Sequence, residues 1–280
     1  MNCLLVINAM SGGAARIDEG AILRKYAAED DARVKYLRAP SDDYSVEGVD
    51  KLIVCGGDGT LNRALSRCEG RKVDLYYLPC GTFNETAKSV AGKGIMPLEG
   101  VGKIGKESFA YVAAAGSFCD LGQAADPTAK KRFKLLAYFA KVLSAYRVHR
   151  IKASIETEGL STSGTYTLLM ISNAKRCFGF RFNRLHKKCA DKFQLIAIKA
   201  PAKDNLWGRI KMFFPFFRVF FLGIDREIRG KNILVTSFER AKISLEDETP
   251  FCLDGESVPL SGEIAVERTH AGARVYLIKE

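Results

Sequence analysis

Histidine is scarce in this chain, with three residues, His149, His186 and His270, none near another in sequence. A histidine-rich metal centre or a Ser-His-Asp triad therefore has little support. The eight cysteines, at positions 3, 55, 68, 80, 119, 177, 189 and 252, show no CxxC spacing. Several fall in apolar, strand-like runs where free thiols pack as small hydrophobes, which suits a reducing cytosol. No stretch reaches the ~20 apolar residues of a spanning helix. The opening MNCLLVIN lacks a basic leader and its apolar run is short, so it reads as a first strand rather than a signal peptide. Zinc-finger and RNA-binding aromatic signatures are missing too, which ranks nucleic acid low as a partner.

What is present is a globular composition over 280 residues, long enough for two domains with a core each. Lys and Arg number 43 against 32 Asp and Glu, a net charge of +11. Part of that excess is an ordinary soluble surface, and the rest favours anionic partners such as nucleotide phosphates or anionic lipid.

The stretch Leu52 to Leu65, LIVCGGDGTLNRAL, reads as a short buried strand, a glycine turn and a helix start. Three glycines in four residues, Gly56, Gly57 and Gly59, suit a turn where a ligand approaches the main chain closely. The N–H groups and dipole of the following helix suit phosphate. Asp58 would repel phosphate unless a cation lies between them or a hydroxyl must lose its proton, and phosphoryl transfer needs both. A plain strand-to-helix turn is the competing reading.

Cys3–Ile7 forms a strand before the small-residue loop Asn8-Ala9-Met10-Ser11-Gly12-Gly13, and a helix is expected over about 17–29. Further strands fall at 33–37, 52–55 and 75–78, with helical patterns between them, as in a parallel α/β sheet. After the fourth strand, Pro79-Cys80-Gly81-Thr82-Phe83-Asn84-Glu85 is a second glycine and hydroxyl turn before a helix at 85–91. Alone, such a turn more often starts a helix than binds a ligand, but two after neighbouring strands could converge on one ligand. A strand at 109–115 and a helix at 130–146 follow. From His149 onward strands dominate, at 151–157, 165–172, 193–198, 233–236 and 241–245, which suggests a β-sandwich-like second domain. The division is placed at 126/127.

These motifs together resemble the diacylglycerol kinase catalytic domain family, lipid kinases that include bacterial diacylglycerol kinases and sphingosine kinases, with NAD kinases as distant relatives. Four stretches match in order: Asn8, Ser11 and Gly12; Gly56-Gly57-Asp58-Gly59-Thr60 with Asn62; Gly81, Thr82 and Asn84; and Asp254-Gly255-Glu256. Ala9 stands where the family has proline, and Glu85 where it has aspartate. The resemblance implies an α/β N-terminal domain (1–126) and a β-rich lipid-substrate domain (127–280), with the active site in the cleft between them and the C-terminal end returning to the first domain. It implies ATP and Mg²⁺, with the nucleotide on the first three matched loops. Asp58, Glu85 and Asp120 are the carboxylates for the metal. It also implies catalytic roles for Glu256, Asp58 and Asp254, with Glu256 the preferred base and Asp58 its rival; without the resemblance, Asp254-Gly255 would be only a hairpin turn. Around Lys188–Asp191 the family's magnesium-holding Asp-Gly turn is altered. Transfer of the γ-phosphoryl group to diacylglycerol is the leading expectation, with another lipid alcohol such as a sphingoid base, or a catalytically weak lipid sensor, as alternatives.

Residues 205–222 are rich in aromatics interleaved with Arg209, Lys211 and Arg218, and Pro215 is expected to bend the segment. Packing on the second domain and peripheral membrane contact through 206–222 are equal readings. On the membrane reading, Trp207 and the phenylalanines from Phe213 to Phe221 touch lipid, and serine at Phe216 and Phe217 leaves the melting temperature nearly unchanged. The expected location is cytoplasmic, peripheral on the inner face of the membrane if that segment meets lipid.

Overall fold

The structure is a computed structural model that describes all residues except 82–83, 91–94, 97–100, 118–147, 178–180, 188–191, 270–273 and 280. The chain begins with β1 (Asn2–Asn8), α1 (Glu19–Tyr26), β2 (Asp31–Leu37), β3 (Lys51–Gly56), α2 (Asp58–Cys68), β4 (Asp74–Pro79), α3 (Glu85–Val90) and β5 (Ile95–Met96). A strand-rich stretch follows: β6 (Val101–Ile104), β7 (Glu107–Phe109), β8 (Val112–Gly116), β9 (Ile151–Thr157), β10 (Leu160–Ser172) and β11 (Phe193–Lys199). Helix α4 (Leu206–Phe217) then precedes β12 (Ile228–Arg229), β13 (Ile233–Phe238), β14 (Arg240–Leu253), β15 (Glu256–Thr269) and β16 (Arg274–Leu277). Two compact units result, Met1–Gly102 with Arg268–Glu280, and Lys103–Glu267. The sequence reading divided the chain at 126/127, inside a stretch that lies outside the described residues.

The first unit holds a sheet in the order β2-β1-β3-β4-β16-β5. The pairings among β2, β1, β3, β4 and β16 are parallel. Strands β1 and β3 read as near-continuous apolar runs because they are covered on both faces, and Leu5, Val6, Ile53, Val54 and Cys55 have no exposed surface. The strand order reverses between β1, which is followed by β2 on one side, and β3 on the other. Such a switch point opens a crevice at the carboxyl ends of the strands. The C-terminal strand β16 inserts beside β4 in register Val275 to Leu75. Tyr26 secures that end by donating from its hydroxyl to the Lys279 carbonyl at 2.7 Å.

The second unit is built on a largely antiparallel ten-stranded sheet whose path runs β12-β13-β11-β10-β8-β14-β15-β6-β7, with β9 pairing both β10 and β14. Its small-residue strand β8 is buried on both sides: Ala113 and Ala115 enter one core, Val112 and Ala114 the other. The sheet curls over the first of these cores, since Phe109 of β7 meets Phe193 of β11, near the opposite end of the path, at 5.5 Å between ring centroids. That curl gives the sandwich-like, β-rich second part with one sheet rather than two separate ones.

Helix α1 is shorter than the expected 17–29. Asp18 caps it by accepting from the Ala21 N–H at 2.9 Å while Ile17 stays extended, and the chain leaves the helix at Ala27. Helix α4 is present, capped by Asn205, whose side chain accepts from the Gly208 N–H at 2.9 Å. Pro215 lies inside it, and the helix passes into a π-helical turn at Arg218–Leu222. Phe216 is only 3% exposed and belongs to the second core, against the expectation that it is dispensable for stability. The expected helix at 130–146 lies outside the described residues, as does the Lys188–Asp191 turn.

Candidate active site

Three loops leave the carboxyl ends of β1, β3 and β4, and main-chain contacts draw them together. The Gly13 N–H donates to the Cys80 carbonyl at 2.8 Å, and the Cys80 N–H donates to the Gly56 carbonyl at 2.9 Å. Asn8, the last residue of β1, donates from Nδ2 to Thr60 Oγ1 at 2.8 Å and accepts from the Met10 N–H at 3.0 Å. The three motifs of the first half thus share one hydrogen-bonded frame.

Glycine is required where these loops touch. A Cβ on Gly81 would overlap the Gly57 Cα, and one on Gly56 would run into the Thr60 side chain at 2.5 Å. Gly57 forms the N-cap of α2 without any side-chain cap. The first helical N–H groups, from Asp58, Gly59 and Thr60, have no carbonyl within the helix to bond. They form the anion-favouring end of the helix dipole at the sheet's switch point.

Asp58 is only 7% exposed, and its Oδ1 accepts from the Thr86 N–H at 2.9 Å, so this carboxylate also ties α2 to the start of α3. Nearby, burial, together with the charges of Asp58 and Cys80, pushes the Tyr77 hydroxyl well above its ordinary pKa and keeps it protonated. Asn84 has a positive φ of 50° and folds back on the turn, accepting from the Gly81 N–H and donating to the Gly81 carbonyl, both at 2.9 Å. Its amide shapes the loop, and the Gly81 N–H is consumed there, so Gly81 serves by close approach rather than as a phosphate donor. Asn62 lies one turn into α2, half-buried, while Ser11 and Gly12 lie in the first loop with Gly12 exposed.

The last motif belongs to the second unit. Asp254 and Gly255, at φ 53° and 110°, form the two-residue loop of the β14–β15 hairpin, with Leu253 paired to Glu256. Positive φ at both central positions is what such a tight turn needs. The Asp254 carboxylate is buried and accepts three main-chain N–H groups, from Ala110 at 2.5 Å, Tyr111 at 3.0 Å and Val112 at 2.9 Å. This arrangement occupies Asp254 in positioning, while Glu256 beside it is exposed. Asn173 grips the same segment: its N–H donates to the Tyr111 carbonyl at 2.8 Å and its Nδ2 to the Ala110 carbonyl at 3.0 Å. Nothing near Asn173 in sequence marks this role, because its partners lie about sixty residues away.

Thr82 and Asp120 fall outside the described residues, as does the side chain of Glu85. Among the described residues, no group of three His, Cys, Asp or Glu side chains is gathered as a metal site. Asp58 is the carboxylate set within the glycine turn itself, at the first position of α2, and the Thr86 N–H holds it.

Residues 2–112 match the family model of the diacylglycerol kinase catalytic domain. The chain is also similar in fold to a diacylglycerol kinase from Bacillus anthracis str. Sterne, at TM-score 0.65 and 17% identity over 99% of this chain and 97% of that one. A second structure from the same organism, assigned provisionally as a diacylglycerol kinase, gives TM-score 0.70 at 16% identity over the same shares. At such identities the likeness speaks for the fold. The match to the diacylglycerol kinase catalytic domain model covers residues 2–112, and the fold shared with these structures extends through the rest of the chain.

Proposed function

We propose that the protein is an ATP-dependent lipid kinase that transfers the γ-phosphoryl group of ATP to the hydroxyl of diacylglycerol, giving phosphatidic acid and ADP. The observation that carries this reading is the convergence of three strand-end loops on the uncapped N-terminus of α2, within the segment that matches a kinase catalytic domain. The glycines let nucleotide phosphates approach the main chain, and the N–H groups of Asp58, Gly59 and Thr60 supply hydrogen bonds and the dipole. Asn8 and Thr60 keep the first and second loops in register, and Asn84 holds the third in its turn. Bound with the nucleotide, magnesium supplies charge neutralisation on the transferring group, and the Asp58 carboxylate is the group this chain offers it.

In the transfer step the lipid oxygen forms a bond to the γ-phosphorus as the bond to the β-phosphate oxygen breaks, and the hydroxyl proton passes to a carboxylate. Glu256 is the base in this reading, because it is exposed at the start of β15 whereas Asp254 is committed to three main-chain donors. A base contributes to the transition state and little to the ground state. Glu256→Gln should therefore lower kcat by about 10²–10⁴-fold with ATP affinity little changed. Both are measured by coupled ADP release with diacylglycerol, sphingosine and NAD as acceptors, and by calorimetric titration with a non-hydrolysable ATP analogue. If ATP affinity falls in proportion to turnover, Glu256 is a ligand rather than the base. Turnover with NAD and with neither lipid would overturn the lipid-kinase reading.

A further inference from the structure

Helix α4 and the π-helical turn after it divide their apolar side chains between two faces. Met212, Phe216, Val219 and Phe220 are buried in the second core. Trp207, Ile210, Phe214, Phe221 and Leu222 point outward, with exposures of 71%, 42%, 67%, 37% and 55%. Positions 207, 210 and 214 follow helical spacing along one side, and exposed Lys211 lies within that stripe. Buried large side chains have a reason to be there; a row of exposed ones is informative. Together these five expose apolar surface on the order of several hundred Å² on α4 and the turn that follows it, an amount that marks an interaction site.

From Lys203 to Leu222 there are four basic residues, Lys203, Arg209, Lys211 and Arg218, against one acidic residue, Asp204. Arg209 is turned to Asp204, and Arg218 donates to the Gly223 carbonyl, while Lys203 and Lys211 are exposed. A second copy of this chain fits such a face poorly, because a two-fold contact would set the same basic stripe against itself. An anionic bilayer suits both properties, with phosphates for the lysines and the headgroup-acyl boundary for Trp207 and Phe214. No helix among the described residues is long and apolar enough to cross a membrane, so the contact lies in the interfacial plane.

We propose that the outer face of α4 and its π-helical extension, with Trp207, Ile210, Phe214, Phe221 and Leu222 as the apolar contact and Lys203 and Lys211 as the charged one, is a peripheral docking surface for an anionic phospholipid bilayer. The inference rests on the lipid-kinase reading for its biological sense, but its test uses neither ATP nor diacylglycerol, so the two stand or fall separately. Trp207 is the chain's single tryptophan, and its emission reports directly on this surface. With the whole protein, vesicles of phosphatidylcholine and phosphatidylglycerol should shift that emission to the blue, and brominated lipid should quench it. Two surface lysines should make binding about 30-fold tighter than to phosphatidylcholine alone, with the difference shrinking as salt is raised.

Phe214→Ser combined with Leu222→Ser should abolish flotation with the vesicles and leave the melting temperature nearly unchanged. Phe216→Ser should lower the melting temperature sharply, because that side chain is core. Lys211→Glu should remove the preference for phosphatidylglycerol. The proposal is overturned if the wild type neither floats with anionic vesicles nor shows the shift. It is also overturned if the Phe214 and Leu222 variant binds as well as wild type, or if a blue shift grows with protein concentration without lipid and sedimentation shows a dimer.

Discussion

Replacing Asp254 separates a structural carboxylate from a catalytic one. Its two oxygens accept from three main-chain N–H groups in a buried site, two of them on Oδ1 and the Ala110 N–H on Oδ2. Asp254→Ala removes all three acceptors at once. A buried donor left without a partner costs about 1–3 kcal/mol, and water replaces part of what is lost, so about 3–5 kcal/mol of stability should disappear. For a unit of this size each kcal/mol moves the midpoint by about 2–4 °C, which places the variant roughly 6–20 °C below wild type. Asp254→Asn retains one oxygen but sets an NH₂ group against an N–H donor, so about 2 kcal/mol is expected for it. Thermal and urea unfolding followed by far-UV circular dichroism, with ADP release measured on the same samples at low temperature, reads both effects. An Asp254→Ala protein that unfolds within about 1 kcal/mol of wild type would refute the reasoning. Full stability in Asp254→Asn together with lost turnover would return the carboxylate to the chemistry.

Asp58→Asn keeps an oxygen for the Thr86 N–H and should cost only about 1 kcal/mol in stability, yet abolish phosphoryl transfer; a folded variant with substantial ADP release would sink the Asp58 assignment. Gly81→Ala forces its loop off Gly57 and should lose about 1–3 kcal/mol along with most nucleotide affinity in calorimetric titration, whereas Gly159→Ala, with open space at its Cβ, should be silent. The hydrogen bond from Lys51 holds the Asp30 carboxyl below the usual carboxylate range. Asp30 therefore contributes stability that is present above its ordinary pKa of about 4 and is lost as pH falls through the lowered value. The urea midpoint of wild type should exceed that of Lys51→Met at pH 7, and the gap should narrow near pH 3; a gap that is constant with pH refutes the pairing.

Local pattern carried much of this protein. The apolar runs of β1 and β3 and the Asp-Gly dipeptide at 254–255 each state a backbone requirement that neighbours in sequence are enough to reveal, because burial on two faces and positive φ are local demands. The glycines at 56, 57 and 81 marked the turns, but what requires them is close approach, of Gly56 to the Thr60 side chain and of Gly81 to Gly57 in another loop. Residues 206–222 stood out by their composition, while the helix over 206–217 and its Asn205 cap came from the structure.

Side-chain partners were not legible, because they depend on where the chain returns. Asp254 meets Ala110, Tyr111 and Val112 across more than 140 residues, so a carboxylate that reads as catalytic is spent on main-chain donors. Asn84 turns both ends of its amide to Gly81, which no motif announces. The aromatic and large apolar residues crowded into 206–222 could not be sorted by sequence, since only the sheet beneath α4 decides that Phe216 is core while Phe214 faces outward. The insertion of β16 beside β4 is likewise a decision of the tertiary structure. An edge strand exposes hydrogen-bonding groups to any segment of suitable register, and only the folded chain selects which segment fills it.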